Sequence, residues 1–184
     1  DMINALPDTA PGFDQPIAVL KHCHGRIRKQ ISTMQKLLSH LPEHGADIDA
    51  QQAAKSILQY FNKAAPNHHA DEEQDLMPML QRTAQGEDAV LLARLIPLIL
   101  DEHQQMDAAW QVLDVQLQVI AAGGNAGTGA YLSEPDVQRF AALYADHMQK
   151  EETHIAPMAM RLFSPAQMAQ LGEAMQLRRK IMQQ

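Results

Sequence analysis

Twelve residues, HHADEEQDLMPM from His68 to Met79, return in degraded form as HMQKEETHIAPM from His147 to Met158. Aligned without gaps, the two share the first His, a Glu-Glu pair, the Pro and the final Met, and Leu76 faces Ile155. The offset is 79 residues (147 − 68), and His24 and His103 obey it as well. The chain therefore reads as two copies of one unit, each with a lone His followed by a His-x-x-x-Glu; an internal repeat of this kind decides the fold before anything else does. Residues four apart on a helix stand one above the other on the same face. His68/Glu72 and His147/Glu151 thus each aim an imidazole and a carboxylate at one point in space. His24 and His103 each add one more imidazole.

Four imidazoles and two carboxylates on inward faces have a definite chemistry. Desolvating an isolated carboxylate costs several kcal/mol or more, so buried carboxylates are paired or coordinated. A pair of divalent metal ions offsets that cost, and mixed imidazole and carboxylate ligation suits iron, manganese or zinc. Two carboxylates can each bridge two ions, which leaves two imidazoles per ion and open positions for a small ligand. A single His-x-x-x-Glu is more often a solvated surface pair, and a single inward His is more often a hydrogen-bonded core residue. The duplication is what favours a metal site. Glu73 and Glu152 are repeated too, as alternative ligands or as acceptors that orient an imidazole. His69 has Met148 at its repeat position and stands as a candidate fifth imidazole.

Apolar residues at helical spacing place these groups on four long helices. The first is expected from an N-cap at Asp14 to Pro42 and Gly45, with Val19, Leu20, Cys23, Ile27, Ile31, Met34, Leu38 and Leu41 on its stripe. The second is expected from Asp47 or Asp49 to about Arg82, kinked at Pro66. The third runs from roughly Asp88 to Ile120, with a second kink at Pro97. The breaker-rich Ala121–Ala130 reads as a loop. The fourth starts at Ser133 or Glu134 with Pro135 near its first turn, and its stripe is Phe140, Leu143/Tyr144, His147, Glu151, Ile155 and Met158. Ser164-Pro165 opens a short fifth helix ending in the basic run Arg178-Arg179-Lys180. The fold class is all-α: an up-down-up-down four-helix bundle with a short C-terminal helix. The organisation expected is an extended arm over residues 1–13, the bundle over 14–162 and the C-terminal helix over 163–184.

Composition agrees and excludes some classes. Hydrophobic residues make up 46 % of the 184 residues and aromatics only 4 %, which suits Leu/Ala/Met-packed helices rather than an aromatic-rich sandwich. A net charge of −7 without a basic stripe argues against nucleic acid as a partner. The most apolar run, Ala89–Leu100, is too short for a bilayer and contains Arg94 and Pro97, so no membrane is expected. No secretory signal shows at the start, and a single cysteine, Cys23, rules out an intrachain disulfide; both fit a cytoplasmic protein.

The run CHGRIRKQI around His24, then AAPNHHADEEQDLMPML, DEHQQM around His103 and HMQKEETHIAPM resemble the hemerythrin-like, or HHE cation-binding, family over about Pro16–Met160. The resemblance implies a four-helix bundle holding two iron ions, bridged by two carboxylates and an oxo or hydroxo group, with manganese or zinc as substitutes. Carried over residue by residue, the ligands are His24, His68, Glu72, His103, His147 and Glu151. The oxygen-carrying hemerythrins of invertebrates have a second imidazole four residues before the equivalent of His103, where this chain has Ile99. Their last carboxylate ligand comes five residues after its His, the register of Glu152 rather than Glu151. Both departures look more like the bacterial branch, which includes iron–sulfur cluster repair and nitric-oxide-responsive proteins.

Three functions compete at this level. The first is a di-iron module that binds or senses O2, NO or iron. The second is a di-iron oxidoreductase acting on peroxide or NO, of the iron–sulfur repair type; no flavin, nicotinamide or Gly-rich phosphate motif accompanies it. The third is a metal-free helical interaction module.

Overall fold

The computed structural model describes residues 9–124 and 131–181. Parts of the expected arm (1–8), loop (125–130) and last helix (182–184) lie outside the described residues. Every regular element among the described residues is helical: α1 (Pro16–His44), α2 (Ile48–Gln59), α3 (Ala65–Ala70), α4 (Met77–Thr83), α5 (Gly86–Ala121), α6 (Glu134–Lys150), α7 (Ala156–Leu162) and α8 (Pro165–Ile181). Three π-helical turns join them into longer rods: π1 (Tyr60–Ala64) and π2 (Asp71–Leu76) link α2, α3 and α4, and π3 (Glu151–Ile155) links α6 to α7. The result is an all-α bundle of four rods, in which α1 and α5 each pack against α2 and α6, with α8 as the added fifth helix. None of these helices is long and apolar enough to cross a membrane.

The helix starts follow local chemistry. Asp47 caps α2 by accepting from the Ala50 N–H at 2.9 Å, and Ser133 caps α6 by accepting from the Asp136 N–H at 3.3 Å. Ser164 and Gln167 cap α8 reciprocally, backbone N–H to side chain in both directions. The expected cap at Asp14 is wrong: α1 begins one residue after Gln15, which makes no side-chain cap, and Pro16 opens the helix. Its end falls at Gly45, as expected, where a φ of 64° is open to glycine, and Pro42 lies inside α1.

Two of the prolines are the expected kink sites, Pro66 and Pro97, and they sit in different backbone settings. Pro97 sits within α5 without interrupting it. Pro66, Pro78 and Pro157 each follow a residue that closes a π turn: Ala65 N–H to Tyr60 O, Met77 N–H to Glu72 O and Ala156 N–H to Glu151 O. A proline ring in a regular helix strikes the carbonyl four residues back. Those carbonyls belong to Asn62, Gln74 and Thr153, each inside a π turn, where the wider backbone relieves the clash. The repeat supplies the control: Pro66 corresponds to Ala145, and α6 runs through that position as ordinary α-helix.

The core has two apolar parts. One holds Ile27, Met34, Ile57, Phe61, Met106, Trp110 and Phe140. The other holds Ile17, Leu20, Cys23, Leu80, Ile96, Ile99, Met158 and Leu171. On α1, His24 falls between Cys23 of one part and Ile27 of the other; on α5, His103 falls between Ile99 and Met106. The imidazoles thus form a polar layer between two apolar plugs.

Candidate metal centre

His24, His68, Glu72, His103, His147 and Glu151 are all buried, at 1–5 % exposure. Their ligating atoms converge in two groups: His24, His68, Glu72 and Glu151, and Glu72, His103, His147 and Glu151, each within 4.8 Å throughout. Both carboxylates belong to both groups. Glu72 Oε1 lies 3.3 Å from His68 Nε2 and 3.6 Å from His103 Nε2. Glu151 Oε1 lies 2.9 Å from His147 Nε2 and 3.3 Å from His24 Nε2. Each carboxylate therefore sits between one imidazole of each pair. The i, i+4 spacing on the two repeat helices delivers the near contacts, and α1 and α5 deliver the far ones.

The polar atoms of this layer lack protein partners. His24 Nε2, Glu72 Oε1 and both Glu151 oxygens are buried without a hydrogen bond, a state that costs roughly 1–3 kcal/mol per group, more if charged. The Nε2 atoms of His103 and His147 point at one another, 3.1 Å apart. Divalent cations would satisfy all of these atoms together, so the residues present fit a metal pair. Protonation also favours ligation. Burial lowers His24, pushes His68 well down with help from the neighbouring imidazoles, and takes His147 to about 2. Neutral imidazole is the ligating form. Burial works on His103 in the same sense, but Glu72 and Glu73 outweigh it and its net shift is upward. Burial raises Glu72.

The repeated second glutamates do not join the ligand groups. Glu73 accepts from His103 Nδ1 at 2.6 Å and Glu152 from His24 Nδ1 at 3.4 Å. This is the arrangement that fixes which ring nitrogen is free to ligate. His69 does not join them either. Its ring stacks on His103, with centroids 4.2 Å apart, and its Nε2 lies 3.5 Å from the Tyr144 hydroxyl. Burial takes His69 to about 3 and raises Tyr144. A cavity of about 250 Å3 lined by Phe61, Pro66, His69, Glu73, His103, Trp110 and Tyr144 adjoins this side of the layer.

Two charged residues of the site escaped the sequence reading. Glu102 is buried, with Oε1 3.5 Å from His147 Nδ1 and Oε2 accepting from Lys150 Nζ at 2.8 Å. The signal was in the repeat, because Glu102 stands at the position of Cys23, an apolar stripe residue. Asp71, next to Glu72, is also fully buried and is met by Arg178 and Arg179 from α8.

Residues 15–159 match the Hemerythrin HHE cation binding domain. The chain belongs to this hemerythrin family. An uncharacterized protein of Haemophilus influenzae is 27 % identical over 175 residues, a span covering 95 % of this chain and 96 % of that relative. The HHE domain and the two His/Glu groups together make this a cation-binding protein fold with a site able to hold metal in the middle of its bundle.

Proposed function

We propose that the His/Glu layer holds two iron ions, His24 and His68 ligating one, His103 and His147 the other, and Glu72 and Glu151 bridging both. The observation that carries this is the membership of both carboxylates in both ligand groups. A di-iron centre of this kind supplies reversible redox chemistry and open coordination positions for a diatomic gas, so the function is to bind or sense O2 or NO. The chain's own burial keeps His24, His68 and His147 neutral, Glu73 and Glu152 orient His103 and His24, and the two apolar plugs keep water out. The cavity beside His103 and His69 offers a small molecule a way to the layer.

That cavity also favours a second reading, in which the centre turns over peroxide or NO. The two readings separate in one set of measurements. Metal analysis and an absorption spectrum of protein from iron-replete cells are expected to give two irons per chain and a near-ultraviolet oxo-to-iron band. Addition of O2 or NO to the reduced protein should change the spectrum. Steady consumption of peroxide or NO above a His68→Ala control would decide for the enzyme. A fully folded protein that takes up no metal would overturn both.

A further inference from the structure

The two halves of the layer share six ligands by symmetry, yet their surroundings differ. We infer that the two metal positions are unequal: the His103/His147 position binds first and tightest, and the His24/His68 position is the exchangeable one. This rests on the di-metal reading above and goes beyond it.

Hydrogen bonding to the outer ring nitrogen sets how strongly an imidazole ligates, and losing such a partner costs roughly 10–100-fold in metal affinity. In the His103/His147 half both outer nitrogens face a carboxylate. Glu73 is 2.6 Å from His103 Nδ1, and Glu102 Oε1 is 3.5 Å from His147 Nδ1, a charge contact in which neither atom makes a hydrogen bond. In the other half only His24 has such a partner, Glu152 at 3.4 Å. The charge of Glu152 is already engaged, since Arg28 Nη2 donates to its other oxygen at 2.6 Å. His68 Nδ1, like His147 Nδ1, is buried without a hydrogen bond, but among the described residues no carboxylate faces it, whereas Glu102 faces His147 Nδ1.

The inequality has its source in the repeat. Adding 79 to Arg28 gives Asp107, and adding it to Cys23 gives Glu102. So the cation that neutralises Glu152 is replaced by an anion on the opposite half. The apolar thiol position one residue before His24 becomes a carboxylate one residue before His103. Lys150 tethers Glu102 and offsets one charge. Even so, Glu73, with no cation beside it among the described residues, and the Lys150-tethered Glu102 face the outer nitrogens of one half, and only the Arg28-neutralised Glu152 faces those of the other. A dication gains more from the first.

The test is an anaerobic titration of the metal-free full chain with Co(II), read by visible absorption and equilibrium dialysis. Two steps are expected, separated by roughly 10-fold or more. Glu102→Gln should weaken the first step and leave the second in place, and far-UV circular dichroism shows that the variant stays helical. His24→Ala should keep one tight equivalent, whereas His147→Ala should keep only a weak one. Two indistinguishable equivalents would overturn the inference, as would a tight step lost in His24→Ala and kept in His147→Ala. Absence of any Co(II) binding would overturn the metal reading itself, and this inference with it.

Discussion

Arg179 of α8 grips Asp71 with both arms of its guanidinium, Nη1 to Oδ1 at 3.1 Å and Nη2 to Oδ2 at 2.7 Å, and Asp71 has no solvent exposure. Arg178 donates to the same Oδ1 and to Asp75. Burial raises the Asp71 carboxyl, and the two guanidiniums oppose that rise. Because Asp71 begins π2, the turn that carries Glu72, α8 is tied directly to one wall of the ligand layer. Removing both cations leaves a buried charge unpaired, which typically costs about 3–5 kcal/mol. Urea unfolding of the Arg178→Ala/Arg179→Ala double variant should show a loss of that order; a loss under about 1 kcal/mol would mean that the pair is solvated and α8 is not a structural tie.

Gly172 is the second anchor of α8. It is buried, and a Cβ there would run into the backbone carbonyl of Phe13. Backbone cannot yield as a flexible side chain can, so Gly172→Ala should cost at least about 1–3 kcal/mol, in the range of overpacked cores. Circular dichroism melts of that variant against the parent protein would measure it. An unchanged melting temperature would show that the segment around Phe13 moves aside freely.

The shared carboxylates make a stoichiometry prediction. Glu72→Gln and Glu151→Gln each remove an oxygen ligand from both groups, whereas His24→Ala removes one from only the first. Metal analysis should therefore find both ions depleted in either Gln variant and one retained in His24→Ala. Metal should also stabilise the fold, by about 2.7 kcal/mol for a site at 100 times its Kd, so a chelator should lower the melting temperature. If each Gln variant lost a single ion, the bridging arrangement would be wrong.

Much of this was legible in the sequence because the repeat marked it. His24 alone is an unremarkable stripe residue; His24 with His103 at the same offset as His68 and His147 is a ligand set. What stayed hidden has two physical causes. Asp71 and Arg179 are 108 residues apart in the chain, and helical periodicity, a local signal, says nothing about which distant charge a face will meet. Glu102 hid for a different reason, because a carboxylate at the edge of an apolar stripe reads as solvated until the facing Lys150 is known. The π turns were half visible. Proline inside a helical pattern predicts disruption, but that the disruption takes the form of a π turn closing one residue before Pro66, Pro78 and Pro157 is not written in that local pattern.

Acid should weaken the molecule first at its helix termini. The Ala50 N–H and His40 hold the Asp47 carboxyl below its usual range, and the Arg161 guanidinium does the same for Asp88. A carboxylate depressed in the folded state contributes stability above its unfolded pKa, near 4, and that contribution disappears as pH falls through the lower folded value. Stability attributable to these two groups should thus be constant from pH 7 to about 5 and decline below about 4. Unfolding midpoints of Asp47→Ala and Asp88→Asn across that range should converge on the parent protein at low pH. Parallel curves with a constant gap would show that the groups act through packing rather than charge.

His69 separates ligand from neighbour. An imidazole that ligated would have its nitrogen among the converging atoms, but the His69 Nε2 faces the Tyr144 hydroxyl, and its ring lies flat on His103. His69→Ala should therefore keep both metal ions, because all six converging residues remain. It should also enlarge the cavity beside His103, whose lining it shares with Trp110 and Tyr144. Small diatomic ligands should then reach the centre faster, while Tyr144→Phe, which removes only the hydroxyl, should change access little. Metal analysis combined with stopped-flow NO binding would measure both effects. Loss of one metal ion in His69→Ala, with helical content preserved, would show that the ring turns inward to ligate when the site is loaded and that the layer has seven protein ligands rather than six.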